Sequence, residues 1–367
     1  MKGPEQAKGE LRALTSVRGI AAWFVVFFHI RKSIADLPDA AMAVLAKGYL
    51  AVDFFFLLSG FVIWMVWGER IRLGGLASIP SFLQRRVARV WPLHLFMLGF
   101  AVALALALQL TGRGSDHFPW HELPLHILLL QNWGFTEHLT WNDPAWSISC
   151  ELGAYLLFPL LALAIDWRRV PSWAVIASIA ALLALLHSIF ASRGATALGQ
   201  EIPSLGLIRC ILEFAGGTAV AALWLRWREA WRLPALASAG IALALAAAWA
   251  LGLAETFAAP ACFAALLLAL ALSAARRGNP LEAGWLHYLG EISYATYLSH
   301  YLLWFAFKLA FVSDAHAVSW PLVAAFLALV LAASVTLYHL VERPAQKWVN
   351  GVRLASARSP ALRSRRG

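Results

Sequence analysis

Ionisable side chains interrupt several apolar stretches of this 367-residue chain. Arg18 and His29 stand near the two ends of one stretch, and Glu151 stands inside another. A charged group at the bilayer centre costs about 2.5–3.5 kcal/mol on insertion scales, so such groups are retained where they bind a partner or do chemistry. A cation, an imidazole and a carboxylate in apolar helices therefore indicate anion binding and acid–base catalysis.

Arg18 and His29 share one face of the predicted first helix. Eleven steps of about 100° bring them within about 20° of three full turns, about 16 Å apart along the axis. A cation at the entrance and an imidazole deeper inside suit an elongated anionic ligand. The spacing fits equally well an Arg18 that anchors the helix at the interface and a His29 that is a helix-end residue beside Arg31 and Lys32.

Two further runs carry charge into apolar helices. In "FLQRRVARVWP", Arg86 and Arg89 are i, i+3 neighbours, and paired guanidinium groups suit bidentate phosphate binding. The alternative is ordinary positive-inside charge in contact with lipid headgroups. In "WSISCELGAYLLFP", Glu151 has Ser147 and Tyr155 four residues away on its own face. A buried carboxylate must be paired, protonated or functional, and the functional interpretation is favoured over a structural hydrogen-bond anchor.

Four more polar groups are candidates for supporting roles. Asp53 enters the second predicted helix near its outer end, where it is expected to pair with His29 or a loop base, or to sit at the helix N-terminus favoured by the dipole. Tyr297 and His300 belong to a polar stripe of the kind that usually packs membrane helices together. Glu342, in "ERP", is expected in a structural ion pair.

Composition predicts an all-α, polytopic membrane bundle. Hydrophobic residues make up 61% of the chain and charged residues 14%. We predict a cytoplasmic segment 1–10, one transmembrane domain 11–345 and a basic, disordered cytoplasmic tail 346–367. Apolar windows of about 20 residues, the length that spans a bilayer, predict ten crossings: 13–32, 48–68, 90–110, 144–165, 171–190, 205–225, 233–252, 256–275, 290–311 and 320–341.

The basic residues predict orientation rather than nucleic-acid binding. Of the 30 Lys and Arg, 23 fall in alternate loops or termini on one side of the predicted bundle. The positive-inside rule makes that side cytoplasmic, so both termini are expected there, and the excess charge attracts anionic lipid headgroups. The three cysteines show no metal or disulfide spacing, and the histidines of loop 111–143 lack a carboxylate at ligand spacing, so no metal is expected.

Taken in order, these runs resemble the acyltransferase-3 family of multi-pass membrane O-acyltransferases. The resemblance extends from residue 11 to about residue 345, and two positions depart from it: Ala51 replaces a usual Gly, and Leu152 stands where a second Glu is often found. The matching features are Arg18 with His29 in an R-x10-H pattern, "AVDFFFLLSGF", Arg86 with Arg89 before "WP", "WSISCE" followed by Tyr155 and Pro159, "ISYATYLSH" and "ERP".

The resemblance implies transfer of an acyl group, often acetyl, from cytoplasmic acyl-CoA to a hydroxyl of a glycan, lipid-linked sugar or small glycoside. A stand-alone enzyme of the bacterial inner membrane is expected, without the C-terminal SGNH-hydrolase-like domain of some relatives. Whether transfer is direct or passes through an acyl-enzyme stays open. The rival classes are a transporter or lipid flippase that uses the same polar groups, and a non-catalytic sensor of CoA or lipid.

With the resemblance, the candidate residues acquire roles. Catalysis is assigned to His29 as general base, with Asp53 or Glu151 orienting its ring. Donor phosphate binding is assigned to Arg18, Arg86 and Arg89. Support of the substrate or of the site is assigned to Ser147, Tyr155, Tyr297 and His300.

Overall fold

The computed structural model describes residues 11–274, 276 and 278–352, and in this part of the chain the named elements are all helical. A single isolated bridge joins Ile34 to Val318. The α-helices are α1 Arg12–Ile30, α2 Asp39–Leu45, α3 Ala51–Ile63, α4 Glu69–Gly74, α5 Ile79–Leu110, α6 Leu123–Leu128, α7 Ala145–Ala164, α8 Ser172–Ser192, α9 Ile202–Trp227, α10 Arg232–Ala250, α11 Glu255–Ser273, α12 Gly284–Glu291, α13 Ser293–Phe311, α14 Trp320–Leu337 and α15 Arg343–Gly351.

Helices of membrane-spanning length and apolarity confirm the all-α polytopic bundle. Within the described residues, eight stretches meet both requirements, and one of them, Asp39–Leu110, contains the two long helices α3 and α5. Helix α13 is 19 residues long, but its polar stripe keeps it out of that set. Ten crossings with cytoplasmic termini stay a prediction. Segment 1–10 and residues 353–367 of the predicted tail lie outside the described residues, whereas residues up to Gly351 continue as α15.

Helices α3 and α9 touch backbone to backbone at the centre of the bundle. A Cβ atom added to Gly60 would lie 1.9 Å from the carbonyl oxygen of Phe214, and one added to Gly217 would lie 1.9 Å from that of Leu57. Small residues allow such close approach between membrane helices, where dispersion contacts supply much of the stability. This contact fixes the face of α3 that carries Asp53 against α9.

Helix α1 is held by a second close contact, at α12. A Cβ atom on Gly290, near the end of α12, would lie 1.9 Å from the carbonyl oxygen of Thr15. The contact places Arg18, one turn further along α1, beside the junction of α12 and α13.

Helix α5 begins earlier than predicted, at Ile79 rather than near residue 90, so Arg86 and Arg89 both project from the helix itself. A π-helical turn, Tyr338–Glu342, interrupts the run from α14 into α15 and places Glu342 beside Arg89. Such turns re-aim side chains and recur at functional sites.

Candidate active site

Three helices bring the predicted arginines and Glu151 into one cavity. This space, which we call the arginine cavity, has a volume of about 170 Å³. Arg18 enters it from α1, Arg86 and Arg89 from α5, and Glu151 from α7. Residues separated by more than 130 positions in sequence therefore line one polar pocket inside an apolar bundle.

Two hydroxyl groups hold the Glu151 carboxylate in this cavity. Ser59 Oγ and Tyr155 Oη each donate to Glu151 Oε1 at 2.5 Å. Tyr155 thus contacts Glu151 as the i, i+4 spacing predicts. Ser147 does not form a hydrogen bond with Glu151, and its Oγ lies 2.8 Å from Tyr297 Oη. Sequence reasoning missed Ser59, although a hydroxyl side chain directly after the apolar run "FFFLL" was a usable signal.

The three arginines of the cavity differ in their hydrogen-bond and ion-pair partners. Arg18 donates from Nε to Ser293 Oγ at 3.0 Å and from Nη2 to the carbonyl oxygen of Gly290 at 2.8 Å, which are both neutral acceptors. Arg89 forms an ion pair with the buried Glu342, so the structural pair expected for Glu342 has its partner on α5.

Arg86 has no ion pair among the described residues. Its Nε is buried without a hydrogen-bond partner, and its guanidinium lies 5.8 Å from the ring centroid of Tyr155. A buried N–H group without a partner costs free energy unless an acceptor reaches it. Arg86 is therefore the arginine of this cavity best placed to receive a ligand.

His29 faces a different cavity. This space, the histidine cavity, has a volume of about 430 Å³ and also contains Asp143 and Trp146. His29 Nδ1 lies 3.0 Å from the carbonyl oxygen of Val25 and 3.1 Å from Nε2 of the fully buried His300.

The two cavities adjoin. Val52 and Tyr297 line both of them, and the Tyr297 hydroxyl is tied to Ser147. Most of the predicted site residues thus line one of two adjoining cavities, whereas Asp53 and His300 line neither.

The expected pairing of Asp53 with His29 or a loop base is wrong. Asp53 is fully buried, and its two oxygens accept from Arg209 Nε and Nη2, each at 2.6 Å. Arg209 comes from the interior of α9 and also donates to the carbonyl oxygen of Leu198. Opposite charges on two apolar helices are stable together only when paired, and that pairing turns Asp53 away from the histidine.

Asp143 is the carboxylate that sequence reasoning missed. It lies in the loop before α7, lines the histidine cavity and stands 3.5 Å from His117 Nε2. Burial raises the pKa of Asp143, and the nearby His117 and a hydrogen bond from Tyr301 oppose that rise. Its position directly before the predicted helix 144–165, inside "WNDPAW", was the available signal.

Comparisons with known proteins identify the family of the chain. Residues 11–339 match the acyltransferase domain of the acyltransferase-3 family. The chain is 33% identical to the acyltransferase MdmB of Streptomyces mycarofaciens over 96% of both chains. It is 35% identical to protein 2 of the picA locus of Rhizobium radiobacter over 38% of this chain and 75% of that protein. No solved structure matches the chain. The chain, a multi-pass bundle that carries the motifs described above, belongs to the acyltransferase-3 family.

Proposed function

We propose that this protein is a membrane O-acyltransferase that moves an acyl group, acetyl in the simplest case, from acyl-CoA to a hydroxyl of a glycan, lipid-linked sugar or small glycoside. The observation that supports this best is the pair of adjoining cavities. One presents guanidinium groups suited to phosphates, and the other presents an imidazole suited to deprotonating a hydroxyl. We place the protein in the bacterial inner membrane with the arginine cavity open to the cytoplasm.

The donor's phosphates are assigned to the arginine cavity. Guanidinium groups bind phosphate through charge-assisted, bidentate hydrogen bonds. Arg86 forms no ion pair among the described residues, and Arg18 donates to neutral acceptors, so neither guanidinium is already engaged in a salt bridge. Arg89 is offset by Glu342, which makes it the weakest contributor of the three.

The acyl group must travel from this cavity to His29. The distance along α1 between Arg18 and His29 is about 16 Å at about 1.5 Å per residue, which suits an extended pantetheine arm. The arm would pass the wall formed by Val52 and Tyr297, the residues common to both cavities. The acceptor enters the histidine cavity from its other side.

His29 is the proposed general base. It takes the proton of the acceptor hydroxyl as that oxygen attacks the thioester carbonyl carbon; the C–S bond breaks, and the proton passes to the departing CoA thiolate. A positioned base contributes about 10²–10⁴-fold to the rate. Glu151 lies on the other side of the shared wall, so its role is assigned to the donor end of the site.

A transfer assay separates this proposal from its rivals. Purified protein is incubated with radiolabelled acetyl-CoA and cell-envelope glycolipid, beside His29→Ala. We expect label in the glycan and release of free CoA thiol with the wild type only, while His29→Ala still binds CoA. Absence of thioester consumption with several acyl-CoA donors, together with movement of glycolipid across proteoliposomes, would favour a flippase. CoA binding without turnover would favour a sensor.

A further inference from the structure

The hydrogen-bond partners of His300 determine which of its ring nitrogens carries the proton. His300 Nδ1 lies 3.2 Å from the carbonyl oxygen of Thr296. A carbonyl oxygen only accepts hydrogen bonds, so Nδ1 must be the protonated nitrogen of the neutral ring. His300 Nε2 then carries a lone pair and points at His29 Nδ1, 3.1 Å away.

His29 Nδ1 therefore faces two acceptors. One is the carbonyl oxygen of Val25 at 3.0 Å, and the other is the lone pair of His300 Nε2. A lone pair on His29 Nδ1 would repel both, so this nitrogen must carry the hydrogen and share it between them. The neutral His29 ring then has its lone pair on Nε2.

We propose that His300 is a positioning residue that fixes His29 in the tautomer with a free Nε2, the nitrogen that acts as general base. This inference rests on the proposed function, in which His29 deprotonates the acceptor hydroxyl. Enzymes that use a histidine base usually orient it with a second acceptor on the other ring nitrogen. Here a neutral imidazole takes that place, while Asp53 is occupied by Arg209.

The arrangement also assists the step itself. When Nε2 takes the hydroxyl proton, His29 becomes an imidazolium, and its Nδ1–H bond to His300 becomes charge-assisted and stronger. Loss of that acceptor weakens the stabilisation of the imidazolium and leaves the binding of the donor's phosphates unchanged. His300 itself is fully buried, so its effect reaches the substrate through His29.

The tautomer is measured directly by nitrogen NMR of ¹⁵N-histidine-labelled protein in detergent. The ring signals of His29 are assigned by their loss in His29→Asn. We expect a protonated Nδ1 and an unprotonated Nε2 in the neutral ring. A protonated Nε2 would overturn the proposal, whatever the activity of the enzyme is.

Steady-state kinetics test the consequence for catalysis. We expect His300→Leu to lower kcat by about 10²-fold, within the range for loss of a correctly oriented base, while the donor KM changes by less than about threefold. His300→Gln, whose side-chain oxygen can replace the Nε2 acceptor, should recover most of the loss. The matched control is His187→Leu, since His187 bonds to Thr256 on helices that line neither cavity.

Wild-type kcat in His300→Leu would overturn the proposal. If that variant does not fold, the NMR assignment decides. An inactive wild type with the expected tautomer would instead count against the proposed function alone.

Discussion

The Asp53–Arg209 pair shows how one buried contact can decide the role of a residue. Both side chains are almost wholly removed from solvent, and their hydrogen bonds form a bidentate fork. Removing one partner of a buried ion pair costs about 3–5 kcal/mol, because the other charge is left uncompensated. The pair therefore supports the packing of α3 on α9 rather than proton transfer at His29.

Arg209→Met should lower the free energy of unfolding by about 3–5 kcal/mol, the range for breaking a buried pair. Asp53→Leu combined with Arg209→Met should recover most of this loss, since neither member of the pair is then left buried without the other. Denaturation of the purified protein in detergent measures both. The control is Arg228→Ala, whose partner Glu229 is largely exposed and whose pair is worth about 0–1 kcal/mol. Equal losses for Arg209→Met and Arg228→Ala would contradict this interpretation.

Asp143 should make stability depend on pH. Burial raises the pKa of Asp143 above its ordinary value of 3.8, so the folded state holds this proton more tightly than the unfolded state does. The free energy of unfolding should then fall as the pH rises from 3.8 through the raised pKa. Asp143→Asn cannot ionise and should lack that part of the fall. Denaturation midpoints measured across this range test the expectation, with the exposed Asp116→Asn as control. Parallel curves for wild type and Asp143→Asn would refute it.

At the residue scale, the sequence showed which side chains are candidates for the site more readily than it showed their interaction partners. An ionisable side chain in an apolar run is visible without a structure, and Arg18, His29, Arg86 and Glu151 all reach cavities. Partners such as Arg209 for Asp53 or His300 for His29 depend on which helices are neighbours, and neighbours distant in sequence leave no local pattern.

Close helix contacts carry a prediction at the scale of elements. Gly217→Ala would push α9 away from α3, because its new methyl group has no room beside the carbonyl oxygen of Leu57. Overpacking of this kind costs about 1–3 kcal/mol. We expect Gly217→Ala to lower the denaturation midpoint. Gly99→Ala should leave the midpoint unchanged, because its methyl group would meet no atom within 4 Å. A midpoint unchanged by Gly217→Ala would show that the helices separate without cost.

Hydropathy predicted the long helices well, because an apolar run of bilayer length has few other stable forms in lipid. It did not predict the separate helix α12 before α13 or the early start of α5 at Ile79. Both involve polar or mixed segments, where tertiary contacts set the boundary. The neighbour that each polar face meets was also unpredictable, because it depends on which helices pack together.

The whole molecule is expected to sit with its arginine-rich loops in the cytoplasm. Single cysteines at Ser81 and Ser115, both exposed, test this in a Cys262→Ser background, because the other two cysteines are buried. A membrane-impermeant thiol reagent added to intact spheroplasts should label Ser115→Cys at once. It should label Ser81→Cys only after lysis. The reverse pattern would place the arginine cavity on the outside and remove the acyl-CoA assignment.

The two adjoining cavities are a property of the whole chain, because their walls come from helices between residues 12 and 311. No single segment of the sequence could have shown that Val52 and Tyr297 separate an arginine-lined space from a histidine-lined one. The order of the motifs indicates the candidate residues, and the packing of the bundle determines which of them share a cavity.

The measurement that tests the central claim most directly is the acetyl-CoA KM of Arg86→Ala compared with that of its neighbour Arg85→Ala. Arg86 lines the arginine cavity, whereas Arg85 is exposed and lies 6.0 Å from the Trp67 ring. A hydrogen bond to a charged group contributes about 1.5–3 kcal/mol, so Arg86→Ala should raise the donor KM by about 10–150-fold. Arg85→Ala should change it by less than about threefold. Equal donor KM values in the two variants would contradict the claim that this cavity binds the phosphates of acyl-CoA.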